Sequence, residues 1–227
     1  LVVGDFVEIE SLVGADHFEA LVKKRLDRSS ILYKSKENIK KPIASNISHI
    51  GILVTKRPKT SLEFIDKWIA ISINASIEPF IIFNKIDALE ENAFSKEQSI
   101  YKNIGIKTFE ISAKLLTNLN CLEKFLAKKT TIFVGNSGSG KSTLTSAMTG
   151  KEILSRDLSN NQGVHTTSVS TLYNTGDMQL IDSPGVRDIN LDHLTPNKII
   201  FGFSEIYRFS AKCEFPNCNH INDRGCA

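Results

Sequence analysis

At 227 residues, 41% of them hydrophobic and 23% charged, the chain has room for one large domain with small attachments, and its globular composition excludes disordered and collagen-like architectures. A net charge of +3 is too weak to mark a nucleic-acid binder by itself; no run of about 18 apolar residues offers a membrane span, and the acidic start LVVGDFVEIE is no signal peptide. Four cysteines are too few for a disulfide scaffold, and three of them fall in the last 15 residues, which points to a metal in a reducing compartment. The chain lacks an initiator methionine and stops one residue after Cys226, so both ends are expected to continue in the intact protein.

Residues 1–42 read as short strands (VVGDFVEIE, FEALVKKRL, SILYK) separated by turn signals, the remnant of a small β-barrel. From Lys23 to Lys41 eight Lys or Arg stand against Asp27 and Glu37, a net +6 in 19 residues. That stretch is either a solvated edge or a phosphate-contacting patch on a nucleic-acid-binding barrel. From His49 strands and helices alternate. ISHIGILV is a strand. Thr60-Ser61-Leu62-Glu63 resembles a capping box opening a helix with Leu62, Ile65, Trp68 and Ile69 on one face. PFIIF is a buried strand, Ser95–Asn103 a polar helix closed by Gly105, and KTFEI a strand. Leu119, Leu122, Phe125 and Leu126 form a second helical stripe, in which Cys121 is expected as a small core residue. TTIFV, then a helix over Lys141–Met148 closed by Gly150, then strands near Val169–Tyr173 and Met178–Ile181 complete an α/β pattern. It implies a parallel-type sheet with helices on both faces.

Gly135-Asn136-Ser137-Gly138-Ser139-Gly140-Lys141-Ser142 fits the phosphate-binding loop G-x-x-x-x-G-K-[ST], placed after a strand and before a helix. Its backbone N–H groups, with those of Thr143 and the helix start, would face the phosphates. Lys141 would reach the β- and γ-phosphates and Ser142 would bind Mg²⁺. Asn84-Lys85-Ile86-Asp87 follows strand PFIIF. A carboxylate at Asp87 pairs with guanine's ring N–H and amino group together, a donor pair that adenine lacks, and such a site discriminates by roughly 10⁴-fold. Asn84 would brace the loop and the base, and the Lys85 stem would lie on the purine. Ser112-Ala113-Lys114 follows strand KTFEI, and its N–H groups would meet the guanine carbonyl. All these motifs sit just past the C-terminal ends of strands, where α/β sheets bind ligands. Asp182-Ser183-Pro184-Gly185 places Asp182 to hold Mg²⁺ through water and the Gly185 N–H to sense the γ-phosphate. Of His165-Thr166-Thr167, Thr167, or failing it Thr166, would complete the Mg²⁺ shell.

The order is unusual, because N-K-x-D and S-A-K precede the phosphate loop. The sheet is unchanged if only the cut point has moved, so the chain reads as a circularly permuted GTPase whose γ-phosphate-sensing segment runs into the C-terminal tail. There Thr195-Pro196 starts an amphipathic helix with Ile199, Ile200, Phe203 and Tyr207. Cys213, Cys218, His220 and Cys226 follow, a Cys₃His set suited to one tetrahedral Zn²⁺. The 37 residues of 191–227 are few enough to need such a metal. Position 186, after D-x-x-G, holds Val186 where many GTPases carry a water-orienting Gln. His165 is the candidate to position the attacking water. His17, His49 and His193 have no ligand-like company and read as ordinary barrel, strand and loop residues.

Together, VVGDFVEIE, KPIASNISHIGIL, NKID, SAK, GNSGSGKS, GVHTT, DSPGV and C-x₄-C-x-H-x₅-C resemble the family of ribosome small-subunit-dependent GTPase A (RsgA) over nearly the whole chain. The resemblance implies a partial OB-fold barrel (1–42), a permuted GTPase domain (43–190) and a zinc-binding domain (191–227). It implies GTP hydrolysis to GDP and phosphate, stimulated by the small (30S) ribosomal subunit in its late maturation, with barrel and zinc domain contacting rRNA. A cytoplasmic monomer with no membrane partner is expected, binding GTP or GDP with Mg²⁺ and one Zn²⁺, and the family's H-T-T motif supports His165 as catalytic. The other reading is an RNA-binding module that uses GTP as a conformational ligand. An ATPase is disfavoured by Asp87.

Overall fold

The computed structural model describes residues 1–11, 20–36, 39–151, 170–183, 186 and 189–227. Its centre is a six-stranded sheet built from β5 (His49–Val54), β6 (Glu78–Asn84), β7 (Lys107–Ile111), β8 (Thr130–Val134), β9 (Thr171–Thr175) and β10 (Met178–Asp182). The spatial order is β7-β6-β5-β8-β10-β9. All neighbours are parallel except β9, which runs antiparallel along the edge beside β10. Strand alternation sorts the apolar residues onto two faces. Ile50, Ile52 and Val54 of β5 join Ile81, Phe83, Ile132, Val134 and Ile181 in a core covered by α1 (Leu62–Asn74) and α2 (Ser95–Asn103). Leu53, Phe80, Ile82, Phe133 and Leu180 form the opposite core beneath α3 (Leu119–Leu126) and α4 (Lys141–Thr149). The alternation of strands and helices is therefore met, with helices on both faces.

Several local expectations shift. The cap of α1 is Ser61, one residue later than the Thr60 box, and it accepts from the Phe64 N–H at 3.2 Å. Thr60 is occupied instead by the turn before it, where its hydroxyl accepts from the Thr55 N–H. Cys121 is exposed rather than core. The buried stripe of α3 is Leu119, Leu122 and Leu126, and a residue two after Leu119 lies about 200° round the helix from it. The helix expected after Pro196 is two, α5 (Pro196–Phe201) and α6 (Ser204–Ser210). At Gly202 between them the chain presses on α1, and a Cβ there would stand 2.7 Å from both Cα and Cβ of Ala70. Asn74 of α1 fixes the same contact by donating to the Lys198 carbonyl at 2.7 Å.

The N-terminal strands pair as two antiparallel ladders, β1 (Val7–Ser11) with β2 (Ala20–Arg25) and β3 (Ile31–Lys36) with β4 (Ile39–Ser45). Among the described residues the ladders are joined by isolated contacts, such as the Val3–Ala44 bridge, and do not close into one barrel sheet. The expected boundary after residue 42 falls inside β4, whose last residues lock to the start of the chain. Asp5 takes a two-pronged hydrogen bond from Arg28 at 2.7 and 2.8 Å and a third from the Ser45 hydroxyl at 2.7 Å. The Arg28 guanidinium holds the Asp5 carboxyl well below the ordinary carboxylate range, so this anchor is fully formed above that range and weakens only in strong acid. No helix among the described residues is long and apolar enough to cross a membrane.

Candidate nucleotide and metal sites

The parallel strands β5, β6, β7, β8 and β10 end at one edge of the sheet, and every described motif expected to touch nucleotide begins there. β8 delivers Gly135 to Lys141, and α4 starts at Lys141 with Gly140 as a left-handed cap residue. Gly140 has φ +92°, and a Cβ on it would lie 2.4 Å from Nδ2 of Asn84, so only glycine lets the loop pass this close. The reason is a designed contact. Asn84, 1% exposed at the end of β6, donates through Nδ2 to the Ser139 carbonyl at 2.9 Å. Its Oδ1 accepts from the Ala113 N–H at 3.0 Å. One side chain thus braces the phosphate loop against the S-A-K segment.

Asp87 is tied to the same cluster. The Ser112 hydroxyl donates to its Oδ1 at 2.5 Å and accepts from the Leu115 N–H at 3.0 Å. Ser112 and Thr117 exchange backbone hydrogen bonds, so Ser112-Ala113-Lys114 is a closed turn. Asp87 stays exposed while one of its oxygens is pinned, the arrangement required of a carboxylate that reads a base edge. Lys85 takes a left-handed backbone, φ +67°, at the turn out of β6. The Lys141 ammonium donates to the carbonyls of Gly135 and Asn136, at 2.5 and 3.0 Å, and so lies across its own loop. Ser142 is half-buried in the first turn of α4, Thr143 beside it is exposed, and Asp182 ends β10 exposed at the same edge. His165, Thr166, Thr167 and Gly185 lie outside the described residues, as does His17.

Val186 is described, and it is buried together with Ile189 in the core under α1, facing apolar side chains. A group there cannot orient water. Lys67 of α1 holds this stretch by donating to the Ile189 carbonyl at 3.2 Å, and burial lowers its pKa. His49 opens β5 and packs edge-on against Phe125, and burial pushes its pKa down, as it does for His193.

A feature not anticipated from the motifs is the turn Thr55–Thr60 at the end of central strand β5. Lys85 donates from Nζ to the Arg57 carbonyl at 3.1 Å. The position a Cβ would take on Gly138 is 3.5 Å from Pro58 Cδ. The turn therefore holds Lys85 of N-K-I-D and lies beside the tip of the phosphate loop. Its signal was Lys-Arg-Pro-Lys directly after a central parallel strand, at the edge where such sheets bind ligands.

In the tail, Cys213, Cys218, His220 and Cys226 bring their ligand atoms within 4.8 Å of one another. Nδ1 of His220 lies 3.5, 3.6 and 3.7 Å from the three sulfurs. A tetrahedral Zn²⁺ with Zn–S near 2.3 Å and Zn–N near 2.0–2.1 Å places N and S about 3.6 Å apart. The four residues are thus compatible with one zinc ion, held through Nδ1. The Glu214 N–H donates to the Gly225 carbonyl at 2.9 Å and brings the first and last cysteines together.

The profile of a protein family described as RsgA GTPase matches residues 25–192. Among solved structures, YjeQ from Thermotoga maritima is similar over 100% of this chain and 75% of its own, with 24% identity and a TM-score of 0.76. YloQ, a circularly permuted GTPase, is similar over 100% of this chain and 72% of its own, with 21% identity and a TM-score of 0.75. At these identities the likeness is one of fold, and it carries the permuted α/β architecture.

Proposed function

The chain belongs to the RsgA GTPase family, whose members hydrolyse GTP, and we propose that it hydrolyses GTP to GDP and phosphate in late maturation of the small (30S) ribosomal subunit, stimulated by that subunit and bound to its rRNA. The observation that carries the nucleotide assignment is the cross-brace. Asn84 couples the phosphate loop to the S-A-K turn, and Ser112 pins the Asp87 carboxylate that would select guanine.

In this reading Asn84, Lys85, Asp87, Ser112, Ala113 and Lys114 enclose the base. The backbone of Gly135 to Thr143 and the Gly185 N–H receive the phosphates, with Lys141 swinging from its own loop carbonyls to the β- and γ-oxygens. Ser142, Thr167 and Asp182 would hold Mg²⁺, which supplies charge neutralisation between the phosphates. With Val186 turned into the core, His165 orients the attacking water. Cys213, Cys218, His220 and Cys226 hold one Zn²⁺, which orders the tail. The three units are a partial OB-type barrel, redrawn to end at Ser45, the permuted GTPase domain, and the zinc-binding segment from 191. Strand β2, exposed along its whole length and carrying Lys23, Lys24 and Arg25, offers cations to rRNA phosphates. The working state is a cytoplasmic monomer.

The burial of Val186 also favours a second reading, an RNA binder for which GTP is a conformational ligand and hydrolysis incidental. Multiple-turnover GTP hydrolysis with and without purified small subunits separates the two. Strong stimulation by the subunit supports the enzyme. Slow turnover unaffected by subunits or naked rRNA leaves the second reading standing.

A further inference from the structure

The turn Thr55–Thr60 is built as a rigid unit. The Thr60 N–H donates to the Thr55 carbonyl at 2.9 Å, the Thr55 hydroxyl donates to the Pro58 carbonyl at 2.6 Å, and Lys56 and Lys59 form a backbone bridge. It lies beside the phosphate-loop tip, where Pro58 Cδ stands 3.5 Å from the position a Cβ would take on Gly138, and it receives the Lys85 ammonium on the Arg57 carbonyl. What ties the turn to α2 is Lys56. Its ammonium pairs with Oε1 of Glu97 on α2 at 2.5 Å and sits 5.1 Å over the ring of Phe94. Phe94 in turn stacks on Phe83, the residue before Asn84, with centroids 4.7 Å apart. Burial alone would push the Glu97 carboxyl up, yet the Lys56 ammonium holds it below its ordinary range. Both partners are partly shielded, with side-chain exposures of 32% and 24%.

We infer that the Lys56–Glu97 ion pair is a positioning device for guanine-nucleotide binding: it holds the Arg57 carbonyl where it orients the Lys85 ammonium, so that the Lys85 stem is preset as one face of the base pocket. This rests on the reading of Lys85 as a base-contacting residue. Without the tether the turn loses its anchor on α2, and Lys85 must be ordered by the nucleotide itself, which costs affinity. The effect travels through one side chain, and that makes it separable from a general loss of stability.

The test is a set of GDP affinities measured by titration of the full chain, with melting temperatures alongside. Glu97→Gln and Lys56→Met should each weaken GDP about three- to fivefold, the upper range for a partly shielded surface pair. Lys56→Arg, which keeps the charge, and the swapped pair Lys56→Glu with Glu97→Lys should return to within about twofold of wild type, the residue of a surface rearrangement. In a Lys85→Ala background, itself weaker for GDP, Glu97→Gln should cost nothing further. Unchanged affinity in both single variants, or the same loss with and without Lys85, overturns the inference. If Lys85→Ala alone leaves GDP affinity unchanged, the base-pocket reading of Lys85 fails, an outcome distinct from failure of the tether.

Discussion

The six-stranded sheet and the segment from Pro196 to Ala227 are held together in opposite ways. The sheet buries Trp68, Phe80, Phe83 and a continuous set of Ile, Leu and Val on both faces, with Thr55, Asn84, Ser112 and Ser139 among the deeply buried polar residues at the nucleotide edge. In the tail the residue that reaches full burial is Gly202, while Phe201, Tyr207, Phe209, Phe215 and Ile221 stay exposed. A segment of this kind has too little apolar burial to fold by itself. It docks on α1 through Gly202 and Asn74, and the proposed zinc on its Cys₃His cluster would supply the rest of its order. The lesson is that affinity for nucleotide and order of the tail rest on different physics and should fail separately.

The largest expected effect breaks the tail alone. Structural zinc in small domains contributes an apparent 10–16 kcal/mol to folding. Cys218→Ser, or strong chelation, should melt residues 213–227 while GDP binding stays nearly intact. Limited proteolysis read by mass, with elemental analysis, checks this. Less than about half an equivalent of zinc in untreated protein would contradict a site of this strength.

A smaller effect, on rate rather than fold, is expected at the nucleotide edge. His165→Ala should leave GTP and GDP affinity within about threefold, under 1 kcal/mol. Subunit-stimulated turnover should drop roughly 10²-fold, the size of a lost positioning or acid–base group. Single-turnover hydrolysis with saturating subunits measures it, and a rate within about threefold of wild type would remove His165 from the mechanism.

The smallest effect concerns the N-terminal strands, which resemble the tail in their exposure. Replacing Lys23, Lys24 and Arg25 by Glu should flatten the salt dependence of subunit binding by about one unit of slope per lost phosphate contact. Lys23 already pairs with Glu10, so its share should be the least. An unchanged slope would return this strand to a solvated face.

How much of this was legible in the sequence also divides along the comparison. The phosphate loop, N-K-I-D and S-A-K are residue types at fixed spacing after strands, and both they and the strand–helix order were readable directly. The cysteine and histidine spacing marked the four residues that the fold brings together. Contacts made by backbone were not readable. The Arg57 carbonyl that receives Lys85 belongs to any residue at that position, and nothing in a side-chain pattern marks it. Gly202 was hidden for a related reason. Ile199, Ile200, Phe203 and Tyr207 keep helical spacing across it, and only the approach to Ala70 shows why the helix is cut there. Cys121 sat inside an apolar run, yet two residues past Leu119 is the wrong angle for the core. The barrel strands carry weak alternation and mixed charge, so their pairing as two separate ladders was beyond a pattern argument.

The proposed guanine site on the sheet edge is tested most directly at Asp87. One oxygen of its carboxylate is held by Ser112, and the residue is exposed. Asn at this position turns one acceptor oxygen into a donor, which opposes guanine's amino group and suits the carbonyl that xanthine carries in its place. Competition between GDP and xanthosine diphosphate for wild-type and Asp87→Asn protein is the measurement. Wild type should bind GDP far more tightly than xanthosine diphosphate or ADP, and the variant should reverse the order between the first two. A variant that keeps its preference for GDP over xanthosine diphosphate would contradict the assignment of Asp87 and, with it, the base pocket built around Asn84 and Ser112.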